Sequence, residues 1–165
     1  MTNKSNFTPA EWNVLLQSMI AAGTAVTAAE PSGLWGLLKE SFAGGTALAK
    51  ANNDPGTNEL IKALVADFAS AEGSAARDEL KNKFKNGKLT QVKDKCIETL
   101  REAAAIVDAK APGDAAAYKG RLQQISQHVA EAANEGGGLF GVGGVPVSEA
   151  EKATLSEISK ALKAA

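Results

Sequence analysis

The chain has 165 residues, 44% of them hydrophobic and 22% charged, with a formal net charge of −1 and one cysteine. These figures fit one globular domain that buries roughly 70% of its unfolded surface, and they exclude a disulfide framework or a cysteine-rich zinc site. Lys and Arg are scattered and no run reaches the roughly 18 apolar residues of a membrane span, so neither a nucleic-acid partner nor integral membrane association is expected.

Residues 1–6 read as a disordered lead-in, polar, with one lysine and no apolar run behind it. That is not the pattern of a signal or transit peptide, and the expected compartment is the cytoplasm. Residues 7–165 read as a single helical domain. Its first helix, Pro9 to about Ala29, starts on a strong signature: Thr8 as N-cap, Pro9 in the first turn, and Glu11 as the returning partner of a capping box. Phe7 and Trp12 flank it as a hydrophobic staple. Val14, Leu15, Met19, Ala22 and Val26 recur at helical spacing, and Glu30-Pro31-Ser32-Gly33 ends the helix.

A second helix is expected from about Leu34 to Ala51, followed by the turn Asn52-Asn53-Asp54-Pro55-Gly56. Thr57 is the expected cap of a third helix, whose apolar face is Leu60, Ile61, Leu64, Val65 and Phe68. Ser74 is the expected cap of a fourth, which ends near Asn86-Gly87. A fifth spans about Thr90 to Lys110, with Val92, Cys96, Leu100, Ala103 and Val107 inward. Ala111-Pro112-Gly113 breaks it, and Asp114 is the expected cap of a sixth, about 115–134. The seventh, about 149–163, starts on a second capping box, Ser148 with Glu151, and turns Leu155, Ile158 and Leu162 inward. No segment alternates with a period of two, so the fold class is all-α, a single-domain bundle of six or seven helices.

Two glycine-bearing features stand apart. Ala21-Ala22-Gly23-Thr24-Ala25-Val26 is echoed by Ala43-Gly44-Gly45-Thr46-Ala47-Leu48. Glycine inside a helix costs about 1 kcal/mol against alanine, which a tight helix–helix crossing offsets; a face that docks a ligand or a second protomer is the other reading. The second feature is Gly136-Gly137-Gly138-Leu139-Phe140-Gly141-Val142-Gly143-Gly144-Val145-Pro146-Val147, glycine-rich yet apolar. Gly136, Gly138 and Gly141 formally fit G-x-G-x-x-G, but a dinucleotide cradle requires a strand before it and a helix directly after. Here a helix precedes, and the next begins only after Pro146. The segment either caps the end of the bundle or presents Leu139, Phe140 and Val142 as a contact element.

Other candidates carry little chemistry. His128 has Glu131 one turn away but no second donor cluster, and Cys96 reads as a small core hydrophobe. Trp12 and Trp35 read as core anchors, with Trp35 between glycines also a candidate contact residue. Arg77 to Lys95 is the most basic region, read first as a solvated face and second as an anion-binding one. No cationic amphipathic segment argues for a membrane surface. No catalytic, cofactor or metal set is expected.

The run from Arg101 to Leu162, with Glu135-Gly136-Gly137-Gly138-Leu139-Phe140-Gly141 and Val147-Ser148-Glu149-Ala150-Glu151-Lys152, resembles that of an uncharacterised bacterial family of small helical proteins. The resemblance implies a bacterial cytoplasmic protein and carries no function. The start Val147-Ser148-x-x-Glu151 and the alanine-rich first helix are also similar to the TerB-like tellurite-resistance family. The Asp-Gly acidic element which that family places before such a helix is replaced here by Gly143-Gly144. The expectation is a non-enzymatic interaction or stress-associated module that meets a protein partner or a second copy through Leu139, Phe140, Val142 and Trp35. The alternative is a bundle that binds a small apolar ligand or lipid, with the 136–147 loop as its lid.

Overall fold

The computed structural model describes residues 2–29, 57–135 and 147–163. Six α-helices and one short 3-10 turn stand among them, with no strand. The helices are α1 (Pro9–Ala28), α2 (Glu59–Phe68), α3 (Ala71–Phe84), α4 (Leu89–Lys110), α5 (Pro112–Glu135) and α6 (Glu149–Lys163). The fold is an all-α bundle. The expected helix over 34–51, its following turn, Trp35, Leu139, Phe140 and Val142 lie outside the described residues.

Helix α1 starts as its sequence dictates. Thr8 Oγ1 accepts from the Glu11 amide at 3.3 Å, Glu11 Oε2 accepts from the Thr8 amide at 2.7 Å, and the Phe7 and Trp12 rings lie 5.7 Å apart. The periodicity predicts a one-sided stripe, but every residue from Leu15 to Ala28 is buried. A helix buried all round is a core helix, and this one tolerates it because its polar side chains bond within the protein. Thr24 donates to the Ile20 carbonyl at 2.9 Å and Thr27 to that of Gly23 at 3.2 Å. The small residues Ala21, Ala22, Gly23 and Ala25 let neighbours approach from several sides at once.

Pairs between helices fix their directions. Lys110 at the end of α4 meets Glu11 at the start of α1 at 2.7 Å, so these two run antiparallel. Ser18 with Tyr118 and Ala22 with Ser126 set α5 parallel to α1, while Lys119 with Asp108 sets it antiparallel to α4. Gln123 with Ser159 and Lys93 with Glu157 turn α6 against α5 and along α4. Helix α3 runs with α1, since Asn13 meets Glu79 and Gln17 meets Lys83. Helix α2 lies across the N-terminal end, where Asn58 meets Asp114 and Trp12 meets Asp67.

Several boundaries differ from the sequence reading, each for a local reason. From Lys4 to Asn6 the expected disordered lead-in is a 3-10 turn, held because Lys4 bridges Asp67 at 2.8 Å and also Glu72. The cap of α2 is Asn58 rather than Thr57: its side chain accepts from the Ile61 amide at 3.0 Å, while Thr57 Oγ1 is taken by Arg121. The cap of α3 is Ser70, four residues before Ser74, and the corner before it is tight. A Cβ on Gly73 would sit 2.1 Å from the Phe68 carbonyl oxygen, so only glycine fits there. Arg77 finishes that corner by donating to the same carbonyl at 2.9 Å. Helix α5 begins at Pro112 rather than after Asp114, as proline is favoured in a first turn where its missing N–H is no loss.

Candidate functional site

The N-terminal end of the bundle and the α3–α4 turn are built from different chemistry. At the N-terminal end nearly every polar group is spoken for: Lys4 with Asp67 and Glu72, Trp12 Nε1 with Asp67 at 2.9 Å, Glu11 with Lys110, and Asn58 with Asp114 at 3.0 Å. Hydrogen bonds from Lys4 first, and from Trp12, hold the Asp67 carboxyl below its ordinary range.

The helix directions set the end of α1 at Ala28, the end of α5 at Glu135 and the start of α6 at Glu149 toward the opposite, far end. Helix α3, whose Glu79 and Lys83 meet Asn13 and Gln17, stops beside the middle of α1, and the α3–α4 turn over Lys85–Lys88 leads from there to the start of α4. The turn is formed by Asn86, whose φ of 69° is the left-handed conformation that Asn adopts more readily than most residues, and by the Gly87 amide bonding to the Phe84 carbonyl at 3.0 Å. Lys95 Nζ reaches back to the Lys83 carbonyl at 2.6 Å and closes the end of α3.

Lysines crowd this turn without acids to balance them. Between Glu79 and Asp94 the sequence has no carboxylate, yet it has Lys81, Lys83, Lys85, Lys88 and Lys93. Lys93 pairs with Glu157 at 3.1 Å, and Lys83 is shared between Gln17 at 2.9 Å and Glu79 at 4.0 Å. Lys81, Lys85 and Lys88 are exposed and pair with no carboxylate among the described residues. Helix α4 also lacks an acid in its first turn, so its positive dipole end adds to the excess. Beneath the turn, Phe84 is half-buried against the core. The Gln17 side chain is fully buried, and its Nε2 is the one buried side-chain polar atom without a partner among the described residues.

The remaining candidates fall into place one by one. Cys96 is buried in α4 and desolvation pushes its thiol far up, which keeps it protonated and unreactive. Tyr118 is buried in the core; Ser18 donates to the Leu15 carbonyl at 2.6 Å, so the Tyr118 hydroxyl must donate to Ser18 at 2.5 Å. Burial pushes that phenol up as well. His128 stands on the outside of α5, its side chain 77% exposed and 4.0 Å from Glu131. His128 and Tyr118 thus lie apart, one on the outside of α5 and the other in the core. Between α5 and α6 runs an open groove of about 470 Å³, floored by Leu155 and Ile158 and edged by Gln123, Gln124, Gln127 and Ser159.

Of the contact residues expected from sequence, Leu139, Phe140, Val142 and Trp35 lie outside the described residues, but their points of attachment do not. Segment 136–146 connects Glu135 to Val147, and the stretch bearing Trp35 follows α1; both attach at the far end. The sequence reading placed Lys81, Lys85 and Lys88 within the basic region Arg77 to Lys95, a solvated face first and an anion-binding one second; the acid-free interval from Leu80 to Lys93 narrows that region to the turn. No family model, curated protein or solved structure matches the chain.

Proposed function

We propose that this chain is a non-enzymatic interaction module, cytoplasmic and of a stress-associated kind, whose contact surface is the far end of the bundle with segment 136–147 as its principal element. The observation behind this reading is that α1 and α5 end and α6 starts at that end, so segment 136–146 is joined there, opposite the end where ion pairs and hydrogen bonds are concentrated. The start of α6 is a firm support for such an element: Ser148 and Glu151 exchange bonds at 2.9 and 3.2 Å, and Glu151 is buried.

Phe140→Ala and Leu139→Asp test it. Each leaves unfolding free energy within about 0.5 kcal/mol of the parent while abolishing self-association in sedimentation or recovery of a partner. A stability loss of several kcal/mol would instead make the segment a cap on the core. The groove between α5 and α6 favours a second reading, a binder of a small apolar ligand or lipid. Native mass spectrometry of protein purified from its own host reads that directly, and a clean unliganded mass counts against it.

A further inference from the structure

We infer that Asn86–Gly87, in the α3–α4 turn, is a self-modification site: water converts the Asn86 side-chain amide into a carboxylate through a cyclic imide. Asn86 is the chain's only asparagine followed by glycine. The pairing matters because the attacking atom is the next residue's backbone nitrogen, and glycine has no Cβ to hinder its approach. That nitrogen gives up its proton, bonds to the Asn86 Cγ and expels the side-chain nitrogen as ammonia, which leaves the imide. Water then adds to one imide carbonyl and breaks its bond to nitrogen. Opening at Cγ gives aspartate; opening at the main-chain carbonyl gives isoaspartate, with the backbone routed through Cβ and Cγ. Either way a water enters, an ammonia leaves and nothing is oxidised or reduced.

The turn leaves both reacting groups accessible. Asn86 is exposed, and its side chain makes no hydrogen bond among the described residues, so it is free to swing onto the following nitrogen. Its backbone, at φ 69°, already stands outside both helices. One bond holds the Gly87 nitrogen, to the Phe84 carbonyl at 3.0 Å, and a single bond at an exposed corner opens at low cost. The surroundings then favour the negative charge that develops on that nitrogen. Lys85 and Lys88 flank it, Lys81 stands one turn before Lys85, Lys95 Nζ lies on the Lys83 carbonyl, and α4 starts beside it with no acid in its first turn. Nearby cations and a helix N-terminus each stabilise a developing anion. The flanking carboxylates stand off or are engaged: Glu79 accepts from Asn13, Glu157 of α6 pairs with Lys93, and Asp94 lies beyond the first turn of α4. The product places an acid in an interval that has none and takes the formal net charge from −1 to −2. Isoaspartate also lengthens the backbone inside the Phe84–Gly87 turn and breaks its closing bond.

Incubation of the full chain at neutral and at raised pH, followed by isoelectric focusing and peptide mass mapping, is the test. The expected result is one new acidic band that carries the amide-to-acid mass change at residue 86, in two isomers of equal mass. It forms sooner at the higher pH, because the attacking nitrogen must lose its proton, and every other asparagine remains an amide over that time. Gly87→Ala, whose Cβ would stand 3.3 Å from the Phe84 carbonyl oxygen, slows the conversion, with circular dichroism to check its fold. Asn86→Gln leaves Gly87 in place and gains no acid there. Lys85→Gln/Lys88→Gln slows the conversion about twofold for each charge removed, the scale on which exposed charges interact. The inference is overturned if the parent gains no acid, or if another asparagine converts while Asn86 stays intact. A double-lysine variant that converts as fast as the parent overturns the part given to the lysines.

Discussion

The N-terminal end of this bundle and the α3–α4 turn spend their charges in opposite ways. At the N-terminal end Lys4, Glu11, Asp67, Glu72, Lys110 and Asp114 all have partners, and those pairs tie α1, α2, α3, α4 and α5 to one another. Around the α3–α4 turn, Lys81, Lys85 and Lys88 pair with no carboxylate among the described residues, and no acid stands between Glu79 and Asp94 in sequence. Paired groups brace the helix ends; unpaired like charges do nothing for the fold and cost it a little through repulsion. The difference separates the part of the molecule that organises the bundle from the part left free to meet something else.

That comparison breaks most readily at Trp12. It is buried, packs on Phe7 and donates to Asp67, so Trp12→Ala removes a large core side chain together with a cross-helix bond. The expected cost is about 3–5 kcal/mol, read by urea unfolding. A smaller effect follows from Asp67, whose carboxyl is held below its ordinary value of 3.8 by Lys4 and then Trp12. A lowered carboxyl contributes stability that is fully present above its ordinary value and is lost as pH falls through the folded value. Asp67→Asn therefore destabilises at neutral pH, and its deficit against the parent shrinks below pH 3.8. Thermal unfolding across that range checks both the sign and the window. The smallest effect belongs to the α3–α4 turn: Lys81→Gln/Lys85→Gln/Lys88→Gln leaves the unfolding free energy within about 0.5 kcal/mol of the parent. A large loss there would make the turn a structural element and erase the contrast.

Much of the fold was legible because caps and breakers are local. Thr8 with Glu11 and Ser148 with Glu151 place two helix starts to the residue, and the apolar faces of α2 and α4 are buried as their spacing predicts. Where the reading slipped, two neighbouring residues could each cap, and tertiary partners chose between them. Arg121 draws Thr57 away, and the contact of Gly73 with Phe68 moves the α3 start back to Ser70. The total burial of α1 was not legible, since periodicity reports one face and a central helix is wrapped from several sides. The far end was half legible. Its apolar glycine segment stands out in composition, but only helix directions reveal that Glu135, where the segment attaches, lies toward the end of α1.

Amide hydrogen exchange of the full chain tests the division between the braced N-terminal end and the α3–α4 turn most directly. Exchange should be slower over 9–12 and 59–68, where ion pairs and hydrogen bonds tie the helices together, than over 81–92. Equal or slower exchange over 81–92 would contradict it.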